Sequence, residues 1–304
     1  MTWAIVVAIA GALAVATGAA LQERTARTAP SIGINQLRLL GHLVRSPRWL
    51  LGTALTFSGV GAHMWALSQA PLTVVQPIGV SGLLFAVMLA AFLRKRRLTR
   101  AQIGGCLAVT AGLAALLTVL PDHPGDPALS RSALVCMPVV CAVIMLGCLA
   151  LARCVGDAAR ACALALAGGV GFGVTSALAR IIGVAALQDP AALLRPLTLV
   201  ALALGLSGAL LVQNAYRTDH FALAYATLLI SDPLAAAAIG VAVFAEPLPA
   251  DPAAAAVVVL AAFAGALGVV TLARSSGPKA APARSGVGRG PVAGSSISER
   301  AFRF

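Results

Sequence analysis

Residues 220–244 read HFALAYATLLISDPLAAAAIGVAVF. One carboxylate, Asp232, interrupts an otherwise apolar or weakly polar run. An α-helix rises about 1.5 Å per residue and the hydrocarbon core of a bilayer is about 30 Å thick, so about 20 such residues cross it. The length of this run predicts a transmembrane helix with its one acid close to the midplane.

Eight further runs have the same character. With residues 220–244 they give nine expected spans, at 3–21, 49–69, 71–93, 101–120, 132–152, 160–187, 196–215, 220–244 and 253–273. Of the 304 residues, 60% are hydrophobic and 11% are charged, and the mean hydropathy is +0.93. Soluble domains carry about a quarter charged residues, so this chain cannot cover a globule in water. The sequence predicts an all-α polytopic helix bundle. Alanine, glycine and leucine dominate, and small residues suit close packing where dispersion holds helices together. The first run resembles a secretory signal in its Ala-rich ending, but no Lys or Arg precedes its apolar core, so a retained span is expected. The six cysteines form no CxxC pair. They read as small apolar packing residues, and no cofactor is expected.

A net charge of +12 would suggest nucleic acid in a soluble protein. Here the cations alternate between span ends. Arg24, Arg27, Arg38, Arg45, Arg48, Arg94, Lys95, Arg96, Arg97, Arg100, Arg153, Arg160, Arg217 and the six Lys or Arg from Arg274 onward fall on one side. Arg131 and Arg195 fall on the other, and Arg180 lies within the sixth span. The positive-inside rule then puts the N-terminus outside and the C-terminus in the cytoplasm of a multi-pass cell-membrane protein. Residues 274–304 are rich in Gly, Ser, Pro, Ala and Arg and predict a disordered basic tail.

An internal repeat is also visible. Ser58-Gly59 meets Ser207-Gly208 at a displacement of 149 residues, Ser81 meets Ser231 at 150, and Gly11 meets Gly169 at 158. The layout predicts two inverted repeats of four spans around one extra span. The first repeat and its outer loop occupy 1–131, the extra span 132–159 and the second repeat 160–273. Such repeats are the build of many secondary transporters.

Residues 59–79, GVGAHMWALSQAPLTVVQPIG, contain Ala-Pro-x-Thr-x-Val-x-Pro-x-Gly, and residues 228–237, LLISDPLAAA, are followed by FAEPL at 244–248. These stretches resemble the drug/metabolite transporter superfamily. The first is similar to its NIPA-type branch, the second to the EamA signature. The resemblance covers about 270 residues at the level of spans. It departs from the family at Arg96, which stands where the first-half motif carries an acid. It implies a secondary transporter of metabolites, amino acids or drugs, or, in the NIPA-type branch, of Mg²⁺.

Asp232 is the leading functional residue. A carboxyl near the midplane is costly and faces a cavity or a partner; it could load a proton or bind a cationic group, or simply hydrogen-bond a neighbouring helix. Pro233 beside it removes a backbone donor and frees a carbonyl one turn earlier. His63, Gln69, Thr73, Gln76 and Pro77 form a second polar set in spans two and three, where Gln76-Pro77 suits a cavity wall and His63 fits either substrate binding or packing. Arg180 could bind an anionic group, pair with Asp232 or snorkel to the interface. Gln213, Asn214, Tyr216 and Tyr225 lie near the basic ends of their spans and suit an inner gate, although Tyr216 reads rather as an interfacial anchor. Glu246 reads as a helix-end contact.

No GxSxG or P-loop occurs, so neither an enzyme nor an ATP-driven pump is expected. The expected function is secondary transport of a small organic solute by alternating access, with proton coupling as an option. Mg²⁺ transport is the alternative, and Asp232 is then its deep ligand, but Mg²⁺ favours several hard oxygen ligands. A non-transporting membrane interaction protein is a third reading. Expected partners are the bilayer and a small-molecule or ion substrate, with no nucleic acid and with a homodimer left open. The charge asymmetry has a direct test: a reporter fused after Phe304 should be active only in the cytoplasm, and activity only on the other side would reverse the topology.

Overall fold

The computed structural model describes residues 2–29, 36–69, 72–119, 131–243 and 251–275. The described chain is helical, with no strand. It comprises α1 (Thr2–Thr28), α2 (Gln36–Val44), α3 (Pro47–Gln69), α4 (Leu72–Leu93), α5 (Arg100–Val119), α6 (Arg131–Cys154), α7 (Asp157–Gln188), a 3₁₀ turn at Pro190–Leu194, α8 (Pro196–Tyr216), α9 (Phe221–Val243) and α10 (Pro252–Ser275). Seven of them, α1 and α5–α10, are long and apolar enough to cross a membrane. The chain is therefore a multi-pass helical membrane protein. Helices α3 and α4 have 23 and 22 residues, and an apolar stretch runs over Ile78–Leu93.

Local signals set the helix ends. Thr99 and Gln102 form a reciprocal capping box before α5: the Gln102 amide donates to Thr99 Oγ1 at 3.2 Å and the Thr99 amide to Gln102 Oε1 at 3.0 Å. Asp251 accepts from the amides of Ala253 and Ala254 at the start of α10, with Pro252 as the first helical residue. At the end of α4, Lys95 turns left-handed at φ 54°. The Arg96 amide then reaches back to the Ala91 carbonyl at 2.9 Å, closing the helix in a Schellman turn.

The distribution of side-chain size is inverted relative to a soluble domain. Buried positions are dominated by Ala and Gly, as along Ala4, Ala8, Gly11, Ala12, Ala16, Gly18, Ala19 and Ala20 of α1. Large apolar groups such as Phe57, Phe92, Val135, Leu199 and Phe263 are exposed. Such a surface is stable only against lipid. Helix α1 packs on α3 and α4, α7 packs on α8 and α9, α6 lies against α7, and α5 pairs with α10.

Glycines set the closest crossings. A Cβ built on Gly59 would stand 2.6 Å from the Gly11 carbonyl oxygen, and one on Gly11 2.9 Å from the Gly59 oxygen. Gly18 and Gly52 approach in the same reciprocal way, and so do Gly168 and Gly208. Gly105 and Gly268 join α5 to α10, where a Cβ on Gly268 would meet the Gly105 oxygen at 2.7 Å.

The expected spans agree with the helices to within a few residues, except that α1 continues to Thr28 instead of ending at 21. The sequence reading also lacked α2 and the 3₁₀ turn. Helix α2 is only nine residues long, too short for a span-length search. The expected tail begins inside α10, which runs to Ser275; residues 276–304, Glu246 and its motif lie outside the described residues. Gly59→Val should lower stability by about 1–3 kcal/mol through overpacking, read as a fall in the thermal midpoint in detergent. Gly61→Val, where nothing lies within 4 Å of an added Cβ, should not. Equal midpoints for the two variants would refute the α1–α3 crossing.

Candidate functional site

Two polar levels stand out in the bundle, one at the middle of α9 and one at the end rich in arginine. Asp232 is at the midpoint of α9 (Phe221–Val243) and half-buried. The helix meets α7 there backbone to backbone. A Cβ on Gly169 would lie 3.0 Å from the Asp232 amide nitrogen, and one on Gly173 2.9 Å from the Asp232 carbonyl oxygen. The adjoining Ser231 is buried and its hydroxyl touches Gly169. Pro233 follows within the helix and has no N–H to give the Leu229 carbonyl one turn earlier. No described residue hydrogen-bonds or ion-pairs with the Asp232 carboxyl. The pairing with Arg180 that the sequence left open is therefore not formed; Arg180 is half-buried toward the far end of α7.

His63 of α3 lays its ring on α4, with Cε1 2.6 Å from where a Gly79 Cβ would stand. The glycine is what lets the imidazole seat itself. Thr73, Gln76 and Pro77 belong to the backbone of α4, and their side chains lie outside the described residues. Gln69 is exposed at the end of α3.

The second level links the start of the chain to its later helices. Glu23 of α1 is 1% exposed. Its carboxylate accepts from Arg94 at the end of α4, and Arg27 Nε lies 3.7 Å away. Arg27 continues to Asp219 in the turn between α8 and α9. Beside this ion chain, Gln213 Nε2 of α8 donates to Gln22 Oε1 at 3.0 Å, and Gln22 Nε2 donates to Thr53 Oγ1 at 3.3 Å. Asn214 Oδ1 accepts from Arg217 at 3.3 Å. Burial, and after it the nearby Arg160 guanidinium, hold Arg217 below the ordinary arginine range.

Tyr216, Phe221 and Tyr225 close this level with an aromatic cluster, their centroids 5.1 to 6.4 Å apart. Tyr216 is 2% exposed, which corrects the interfacial-anchor alternative: the turn between α8 and α9 folds Phe221 over it. A cavity of about 700 Å³ opens next to the ion chain, lined by Arg94, Arg96, Arg97, Asp157, Asp219 and His220 among others. The sequence reading named Gln213, Asn214, Tyr216 and Tyr225 of this level but gave Glu23 no role. Its one available signal was the register of α1, in which Glu23 falls on the same buried stripe as Gly11 and Ala19.

Among the described residues, no three of His, Cys, Asp and Glu come together as a metal site. The chain is similar to an uncharacterized protein of Corynebacterium glutamicum, 24% identical over 245 residues that cover 80% of this chain and 85% of that one. No protein-family model matches the chain. No solved structure matches it.

Removing one partner of a buried ion pair leaves the other charge without compensation, which costs about 3–5 kcal/mol. Glu23→Gln and Arg94→Gln should each lower the thermal midpoint markedly. The double variant should recover much of that loss, because no lone charge then stays buried. Strictly additive losses would show that Glu23 and Arg94 do not act as a pair.

Proposed function

We propose that this chain is a secondary transporter of a small organic solute, similar to the EamA-like and NIPA-type branches of the drug/metabolite transporter superfamily. In this reading nine spans cross the cell membrane, α1 and α3–α10, with the N-terminus outside and the C-terminus in the cytoplasm. Two inverted four-span repeats flank α6, and substrate binds between them near Asp232.

The observation that carries the reading is a set of helix–helix contacts that recur at fixed displacements. The Gly11–Gly59 contact has a counterpart in Gly168–Gly208, and the Gly18–Gly52 contact in Thr175 Oγ1 donating to the Ala201 carbonyl at 3.4 Å. Gly82 against the Ala12 carbonyl, 3.5 Å from an added Cβ, has a counterpart in Asp232 against Gly169. The contact positions of α1 correspond to those 157 later in α7, those of α3 to 149 later in α8, and those of α4 to 150 later in α9. The displacement for α1 is one less than the Gly11–Gly169 match suggests, because Gly168 is the glycine that abuts Gly208. Helices α5 and α10, the last of each set, run antiparallel at the seam. Crossings repeated this closely supply the two similar bodies that alternating access requires.

The polar levels fit the same mechanism. Asp232 occupies the position at which the first half has Gly82, so one carboxylate serves a site framed by both halves. It can carry one proton or face one cationic group of the substrate. The Glu23–Arg94 and Arg27–Asp219 pairs, with the Gln22–Gln213 hydrogen bond, tie α1 and α4 to α8 and the following turn. They form an inner gate that must break when the site opens to the basic side. The transport step is a change of shape, with no bond made or broken in the substrate.

The test is flux into proteoliposomes holding the purified chain, with a metabolite panel and Mg²⁺ assayed in parallel with and without a pH gradient. Asp232→Asn should insert and purify normally and lose gradient-driven accumulation by more than about tenfold, while solute exchange at equal pH survives. Loss of Mg²⁺ flux at every pH would instead favour the cation alternative, since a hard cation would have lost its anionic ligand. Unchanged flux of every kind would return Asp232 to helix packing and end the proposal.

A further inference from the structure

We propose that the joint between α1, α2 and α3 is a binding site for a phosphate ester, occupied in the membrane by the headgroup of an anionic phospholipid. The site is a cavity of about 320 Å³ lined by Arg24, Thr25 and Thr28 of α1, His42 of α2, and Arg45, Ser46 and Arg48 at the junction with α3. Every lining residue is a cation, a hydroxyl or an imidazole, and no carboxylate is among them. Between Glu23 and Asp122 the chain contains no Asp or Glu at all. Glu23 itself is committed to Arg94 and Arg27. Arg24, Arg45 and Arg48 form no ion pair among the described residues, and all three are exposed. Three guanidinium groups around one cavity repel each other unless an anion joins them, and their planar forks suit phosphate oxygens.

The backbone contributes as well. Ser46 opens α3, where the Leu50 amide takes its carbonyl at 3.0 Å and Pro47 is the first helical residue. The unsatisfied amides and positive dipole end of that helix turn toward the same junction and favour an anion. The position favours a lipid as its source. Helix α2 buries Leu39 and Leu43, one turn apart, and leaves His42 and Val44 exposed. It lies at the end of the bundle where α1 meets Arg94, next to the exposed apolar residues Leu50 and Leu51 of α3. A phosphate seated here would place its acyl chains along α3, below a short amphipathic helix of the type that lies in a membrane interface. This site is separate from the proposed transport pathway, so its failure and the failure of that reading are distinguishable.

The test uses the full-length chain in nanodiscs. One arm compares discs of phosphatidylcholine with discs that also contain phosphatidylglycerol, and reads lipid retained by native mass spectrometry together with the thermal midpoint. The other adds inorganic phosphate to phosphatidylcholine discs against chloride of equal ionic strength. Arg45→Gln with Arg48→Gln should weaken phosphatidylglycerol retention about tenfold, as expected for two cations at an anionic surface. Arg100→Gln with Arg153→Gln removes equal charge from exposed positions outside the cavity and should change retention less than about twofold. Stabilisation by inorganic phosphate alone, lost in the cavity variant and with nothing added by phosphatidylglycerol, would keep the phosphate site and assign it to a soluble ester. Equal losses in both variant pairs would show only diffuse surface charge, and no loss in the cavity pair would show no site; either result overturns the proposal.

Discussion

The bundle depends on backbone approaching backbone at glycine. Lipid tails are as apolar as the side chains they cover, so burying leucine against leucine gains little inside a bilayer. What remains is dispersion between surfaces close enough to count, together with polar contacts. Gly11 with Gly59, Gly18 with Gly52, Gly168 with Gly208 and Gly105 with Gly268 bring the helix axes within that range. This explains why the core is alanine and glycine while Phe57, Phe92 and Phe263 face outward. It also explains the position of Asp232. A side chain of any size on Gly169 or Gly173 would push α9 off α7 and change the surroundings of the one acid at mid-helix.

Polar contacts carry proportionately more of the specificity at the basic end. The ion chain from Asp219 through Arg27 and Glu23 to Arg94 joins α1, α4 and the turn after α8. Its central member, Glu23, is fully desolvated, while Asp219 at its end is exposed. A buried carboxylate held by two guanidinium groups has few alternative arrangements, so it fixes which helix ends meet. An exposed pair such as Arg195–Asp189 in the opposite loop, at 3.0 Å, is screened by water and has no such influence.

The long helices were legible in the sequence because length and apolarity are all a bilayer asks of a helix. Residues 220–244 and Phe221–Val243 differ by a residue at either end for that reason. The polar levels were legible only in part. Asp232 stood out because a charge amid 20 apolar residues is rare, but nothing in the sequence revealed that α7 covers it with two glycines. Glu23 was hidden by the opposite circumstance: it follows the apolar run, among Gln22, Arg24 and Arg27, where a charged residue looks solvated. Only the continuation of α1 to Thr28 carries it back into the bundle. Helix α2 escaped because nine residues with Arg38 among them and Arg45 after them resemble a loop, and its two buried leucines acquire meaning only when α1 and α3 are in place.

In the proposed two-repeat reading, the two halves are unequal for the same physical reason. There the Gly11–Gly59 crossing is kept as Gly168–Gly208, whereas the Gly18–Gly52 crossing is replaced by Thr175 against Ala201. The side chain at the α4 and α9 midpoints is under less constraint: the close contacts of Asp232 with Gly169 and Gly173 are made by its backbone. There Gly82 and Asp232 differ, although the Ser81–Ser231 pair before them is kept. A carboxyl in both halves would set two like charges beside the same axis, and repulsion in a medium of low dielectric would keep one of them protonated. One acid and one glycine avoid that conflict and leave space on the side without the acid. In the proposed transporter, two repeats framing a single charge would suit a ligand with two unlike ends, an organic solute rather than a spherical ion.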